Sequence, residues 1–131
     1  MRIPQMIMGG GVVVLVLLLL SPQRHLPRYN PTAEVTLHGA VTGVQEFYCP
    51  LSGGVGTHLT VASENGPVEV HVAPTEFLLG KQWQFFRGEQ VEVSGSRITF
   101  QGHDAMIARS IKRGTQTAAL RTPDGKPLWT Q

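Results

Sequence analysis

The chain has 131 residues, 41% of them hydrophobic, with one cysteine and a formal charge of +2. That length accommodates one domain, and a lone Cys49 excludes an internal disulfide framework. Arg2, Arg24 and Arg28 precede Pro31, and the remainder carries eight Lys or Arg against nine Asp or Glu, a balance of −1. The positive excess therefore reports on membrane topology and not on polyanion binding.

Residues 7–20 are uncharged and apolar, interrupted only by Gly9 to Gly11, preceded by Arg2 and followed by Ser21-Pro22. A positive start before an apolar core is the pattern of a secretory signal. The residues after the core lack a small-x-small cleavage pattern, and the stretch from Ile3 to Leu20 reaches the lower limit of about 17 residues for a spanning helix. Residues 1–21 are thus expected to be a signal anchor or a signal peptide. The anchored form is favoured, with the domain in the periplasm of a bacterial cell. Residues 22–32, with Pro22, Pro27 and Pro31, read as an extended linker to a domain over residues 33–131.

From Ala33 the period becomes two. Glu34 to Val41 alternates and continues to Tyr48, which predicts one long strand with glycine bends at Gly39 and Gly43. A long bent first strand suits a small barrel. His58 to Val72 alternates around Asn65-Gly66, which predicts a hairpin with a type I′ turn at those two residues. In that register Val61 faces Val70 and Leu59 faces Val72. His58, Thr60, Glu69 and His71 fall on the opposite face, with His71 facing Thr60 and His58 as its diagonal neighbour.

Ala73 to Gly80 predicts a short helix, with proline in its first turn and glycine past its end. Its apolar side, with Trp83, Phe85 or Phe86, is expected to plug one end of the barrel. A second hairpin runs from Gln90 to Phe100, turns at Gln101-Gly102, and returns from Asp104 to Ile111, with Val91, Val93, Ile98, Phe100, Ala105 and Ile107 expected in the core. The tail from Thr115 to Gln131 shows no regular pattern, although Leu128 and Trp129 could pack back on the barrel. The expected fold is all-β: a five-stranded OB-fold-like barrel with one short helix between strands three and four, preceded by the N-terminal hydrophobic helix.

His58 and His71, with Glu69 alongside, could hold a divalent transition metal. The bland alternative is a pair of solvent-facing strand histidines. Cys49 and Met106 could add soft ligands if the fold brought them near. Cys49 has no Cys-x-x-Cys or haem-attachment context, so a structural thiol is expected, and Ser52 to Gly56 lacks the Gly-Lys-Ser/Thr ending of a phosphate cradle. No serine sits in a nucleophile motif, and enzymatic activity is not expected. Single-stranded nucleic acid needs aromatic platforms and positive charge, and His58 to Val72 contains no Phe, Tyr, Trp, Lys or Arg.

Gly56-Thr57-His58-Leu59, Val68 to Val72, Val91 to Arg97 and the ending Asp124 to Trp129 together resemble small exported bacterial OB-fold-like domains. The resemblance is to the domain shared by the magnetosome proteins MamS and MamX. It implies a barrel over about Glu34 to Trp129. The Cys-x-x-Cys-His haem motif of MamX is absent, so no electron-transfer role comes with it. The expectation is a non-catalytic binding module, membrane-anchored or periplasmic, that engages a protein partner or a small ligand and needs no cofactor. Its rivals are a metal-binding accessory domain using His58, His71 and Glu69, and a single-stranded nucleic-acid binder.

Overall fold

The structure, a computed structural model, describes residues 26–130. The apolar segment and the start of the linker lie outside the described residues. No helix among the described residues is long and apolar enough to cross a membrane.

The chain is mostly β. In order it forms a 3-10 turn at Pro31–Ala33, β1 (Glu34–Cys49), β2 (Gly54–Ser63), β3 (Gly66–Pro74), the helix α1 (Thr75–Gly80), β4 (Gln90–Phe100), β5 (His103–Arg113), β6 (Gln116–Ala119) and a second 3-10 turn at Leu128–Thr130. The sheet order is β3-β2-β1-β4-β5-β6. Parallel pairing of β3 with β5 through Glu69 to His71 and Ala105 to Ile107 joins its ends. Five strands therefore close a ring of pairings, β1–β2–β3–β5–β4 and back to β1, with α1 between β3 and β4.

The length of β1 makes this ring geometrically accessible. Its first half pairs with β4 from Glu34 to Ala40, and its second half pairs with β2 from Ala40 to Cys49. The change of partner falls at the bend. A Cβ on Gly39 would stand 2.1 Å from the Ala62 carbonyl oxygen, so only glycine allows the two strands to approach this closely. The register shift between Val41 and Gly43 completes the bend.

Inward-facing Val41, Leu59, Val61, Val68, Val70, Val72, Val91, Val93, Met106, Ala108 and Ile111 form the core, closed at one end by Leu78 of α1 and by Phe85. Fully burying each aliphatic side chain contributes about 1.5–3 kcal/mol. Trp83 packs at the edge of this cluster, whereas Phe86 is exposed. Trp129 returns onto the core with its ring 5.7 Å from Phe77.

Two expectations require correction. The tail is not without structure: Gln116 to Ala119 adds a sixth strand beside the second half of β5, after a turn in which Gly114 has φ +61°. In addition, the type I′ turn lies in the other hairpin. Gln101 and Gly102 both have positive φ, at +52° and +79°, between the paired Phe100 and His103. In the first hairpin Ser63 pairs with Gly66, so Glu64 and Asn65 occupy the corner and only Gly66 has positive φ, +110°. This arrangement is a type I turn followed by a glycine bulge.

Candidate metal centre

That turn moves the β2–β3 register by two residues from the expected one. Val61 faces Val68, Leu59 faces Val70, and His58 lies directly opposite His71. A two-residue shift preserves side-chain parity, so the valines still point inward and the histidines outward. The outward face here is covered, and the solvent-facing alternative fails: His58 and His71 are each only 3% exposed.

The cover comes from the second half of β1 and the end of β4. Gln45 of β1 faces His58, which places Phe47 diagonally over the imidazole. The two rings stack at 3.8 Å, 4° from parallel. Two residues on, Cys49 faces Gly54 and is 1% exposed. Gly54 and Gly56 put no side chains on this face, and a Cβ on Gly56 would meet Cys49 Cβ at 3.3 Å. Phe100 stands edge-on to His71 at 5.1 Å, and His58 stands edge-on to His71 at 4.7 Å. Ile107, paired with His71 across the parallel ladder, is buried beside them.

One donor atom from each of Cys49, His58 and His71 lies within 4.8 Å of the other two. Cys49 Sγ and His71 Nδ1 are 3.4 Å apart. Both ring nitrogens of His58 and Nε2 of His71 are buried without a hydrogen-bond partner. Leaving a buried polar group unsatisfied costs about 1–3 kcal/mol, and a bound ion would relieve that cost. Burial holds the His58 imidazole below its ordinary pKa, against a weaker opposing pull from the Gly56 backbone, whose approach falls short of a well-formed hydrogen bond, and burial together with the neighbouring His58 brings His71 down to about 4. Both rings are therefore neutral at pH 7, the form in which imidazole ligates metals.

Glu69 lies two residues from His71 on the same face, its Oε1 3.9 Å from His71 Nε2 and its side chain 36% exposed. That separation is too long for a hydrogen bond, and with His71 neutral it is not an ion pair. Glu69 is not among the three clustered donors. Met106 belongs to the interior core cluster. The structure thus brings Cys49 together with both histidines and leaves Glu69 at the rim. Sequence reasoning missed the covering ring of Phe47 and assigned Phe100 to the core, whereas its ring lies outside the core against His71. The Phe47 signal was its i−2 spacing from Cys49 on an alternating strand.

Among curated proteins no sequence matches significantly. Solved structures with similar backbones include the Stn1–Ten1 complex of S. pombe, at 16% identity and TM-score 0.49 over 70% of this chain and 62% of that one, so this chain spans less than two thirds of its length. Another is Rim1, a mitochondrial single-stranded DNA binding protein of S. cerevisiae, at 12% identity and TM-score 0.45 over 61% and 91%. A third is a ZRD-deleted mutant of TiaS in complex with agmatine, at 19% identity and TM-score 0.48 over 77% and 29%. Likeness at this level bears on no functional argument. The sequence itself matches the MamS/MamX magnetosome protein family over residues 33–118. That span takes in all three clustered donors and every strand except the last residue of β6, and the chain belongs to the MamS/MamX family.

Proposed function

We propose that this chain is an exported, non-catalytic binding module. Its OB-like barrel is packed inside and holds a transition-metal ion on its outer face through Cys49, His58 and His71. The observation that carries this reading is the buried cluster of Cys49, His58 and His71, in which His71 Nδ1 lies beside the thiol and neither His58 nitrogen has a hydrogen-bond partner. A core histidine with a structural role normally has its nitrogens satisfied, whereas a ligand histidine keeps one free for the ion. One thiolate and two imidazoles suit borderline and soft transition metals, and no oxygen-rich set for Mg²⁺ or Ca²⁺ is present at the cluster. Export and membrane attachment rest on the apolar run of residues 7–20 and its flanking arginines.

Calorimetric titration of the chelator-treated full chain in detergent, with Zn²⁺, Co²⁺ and Cu⁺ in turn, tests the reading. One equivalent of at least one ion is expected, lost in the His58→Ala/His71→Ala variant. No binding of any ion, or unchanged binding by the variant, overturns it. A protein partner would engage the exposed Tyr48 and Val55, which face each other across β1 and β2 next to the site. Unchanged partner capture after Tyr48→Ser and Val55→Ser removes that contact. Single-stranded nucleic acid has no aromatic or cationic platform on β2 or β3.

A further inference from the structure

The donor set and its surroundings discriminate among the ions a Cys/His/His cluster could take, and the argument rests on the metal-binding reading above. A thiolate and two neutral imidazoles together carry a single negative charge. A monovalent ion closes that set at net zero, and a divalent ion leaves it at +1. Each of the three residues is at most 3% exposed, and an uncompensated charge at that depth is strongly disfavoured.

The neighbours do not supply a second negative charge. Glu69, the carboxylate beside His71, is partly solvated and beyond hydrogen-bond distance. On the other side Arg121, with Arg28 and Lys126 outnumbering the single carboxylate of Asp124, lines a cleft together with Pro50 and Ile107, the chain neighbour of Cys49 and the ladder partner of His71. Its positive charge opposes that of Glu69 and adds to the cost of any excess cation.

Coordination number points the same way. Structural Zn²⁺ is almost always held by four protein ligands in a tetrahedron, and catalytic Zn²⁺ keeps a water in the fourth position. Among the described residues no fourth His, Cys, Asp or Glu joins the group. The flanks are instead taken by the phenyl rings of Phe47 and Phe100, which offer neither a ligand nor a seat for water. Soft thiolate ligation admits both Cu⁺ and Zn²⁺, and of the two the lower charge of Cu⁺ lets three ligands satisfy it, whereas Zn²⁺ calls for a fourth. Phe47, at 41% exposed, is the solvent-facing part of the cover and the side from which an ion would enter.

We propose that Cys49, His58 and His71 form a three-coordinate site for a single Cu⁺ ion, bound as a neutral complex beneath the Phe47 ring. The test is an anaerobic competition on the full chain in detergent. Cu⁺ is presented as its bicinchoninate complex, and Zn²⁺ and Co²⁺ are titrated separately and against it. The chain should withdraw one Cu⁺ per molecule and hold it at least about 100-fold more tightly than Zn²⁺. The Cys49→Ser variant, with its circular dichroism unchanged, should lose a similar factor for Cu⁺. Stoichiometric displacement of Cu⁺ by Zn²⁺, or a tetrahedral Co²⁺ spectrum at equal affinity, makes the site a divalent one. That result sinks this inference and leaves the metal-binding reading standing. Failure of every ion to bind removes both, and the wild-type competition decides the matter even if the variant does not fold.

Discussion

Replacing His58 by leucine should make the metal-free protein more stable and the metal-loaded protein impossible to form. His58 is buried on a strand with both ring nitrogens unpartnered, and each such group costs about 1–3 kcal/mol. A branched aliphatic side chain of similar size removes both costs. What it forfeits is the stack on Phe47 at 3.8 Å, worth roughly 0.5–1.5 kcal/mol beyond the area it buries. The balance is a gain of about 0.5–5.5 kcal/mol, which for a domain of this size raises the melting temperature by about 4 °C or more per kcal/mol. In the wild type, an ion at a thousand times its dissociation constant adds about 4 kcal/mol, and His58→Leu should show none of that increment. The assay is thermal melting of the chelator-treated chain in detergent, with and without added ion. A metal-free His58→Leu protein less stable than wild type by more than about 1 kcal/mol refutes the reasoning, because it means that the imidazole nitrogens were satisfied all along.

Glu69→Gln should leave ion affinity and metal-free stability nearly unchanged, because the partly solvated carboxylate stands 3.9 Å from His71 Nε2, beyond hydrogen-bond reach; competition titration reads the affinity, and a loss of about 10-fold or more would make Glu69 a partner of the site. Gly39→Ala should destabilise by at least about 1–3 kcal/mol, since its Cβ would lie 2.1 Å from a backbone oxygen. Gly43→Ala should cost far less, because the nearest atom to its Cβ is the Thr60 hydroxyl at 3.3 Å, and urea midpoints for the two variants give the comparison. Glu34 accepts hydrogen bonds from Arg109 and Tyr29, and the Arg109 bond first, then the Tyr29 bond, holds its carboxyl below the ordinary value. A depressed folded pKa contributes stability above the unfolded value near 4.5, lost as pH falls through the folded one. Glu34→Gln should therefore cost about 1 kcal/mol or less at pH 7 for a surface pair, and the difference should close as pH falls through the folded value. A gap that stays constant with pH contradicts the assignment.

The strands were legible because each has one covered face, and alternation reports that directly. β6 was not, because Gln116-Thr117-Ala118-Ala119 has almost no apolar alternation and is ordered by the edge of β5. The His58/His71 pair could be found, but its geometry depended on a turn. Asn65-Gly66 and Gln101-Gly102 are alike in form, yet only the second takes two positive φ values. In the first hairpin Ser63 Oγ donates to the Gly66 carbonyl at 2.6 Å, and the ladder closes one step earlier. Parity survived that change, so Leu59, Val61, Val70 and Val72 point inward as expected, while the site was displaced from a diagonal pair to a facing one; in the second hairpin Ile98, Phe100, Ala105 and Ile107, expected in the core, lie outside it beyond the register shift at Ser94/Gly95, and Met106, Ala108 and Ile111 take their place. The place of Cys49 depends on a contact between β1 and β2 across a loop of four residues, Pro50 to Gly53, and the burial of the histidines depends on Phe47 and Phe100 from two further strands. Neither is a local property of sequence.

X-ray absorption at the metal edge of the loaded protein tests the account most directly. One sulfur at about 2.2–2.3 Å and two imidazole nitrogens at about 2.0 Å are the shell that Cys49, His58 and His71 should present. A shell without sulfur, or one built of oxygens, would place the ion elsewhere and contradict the account.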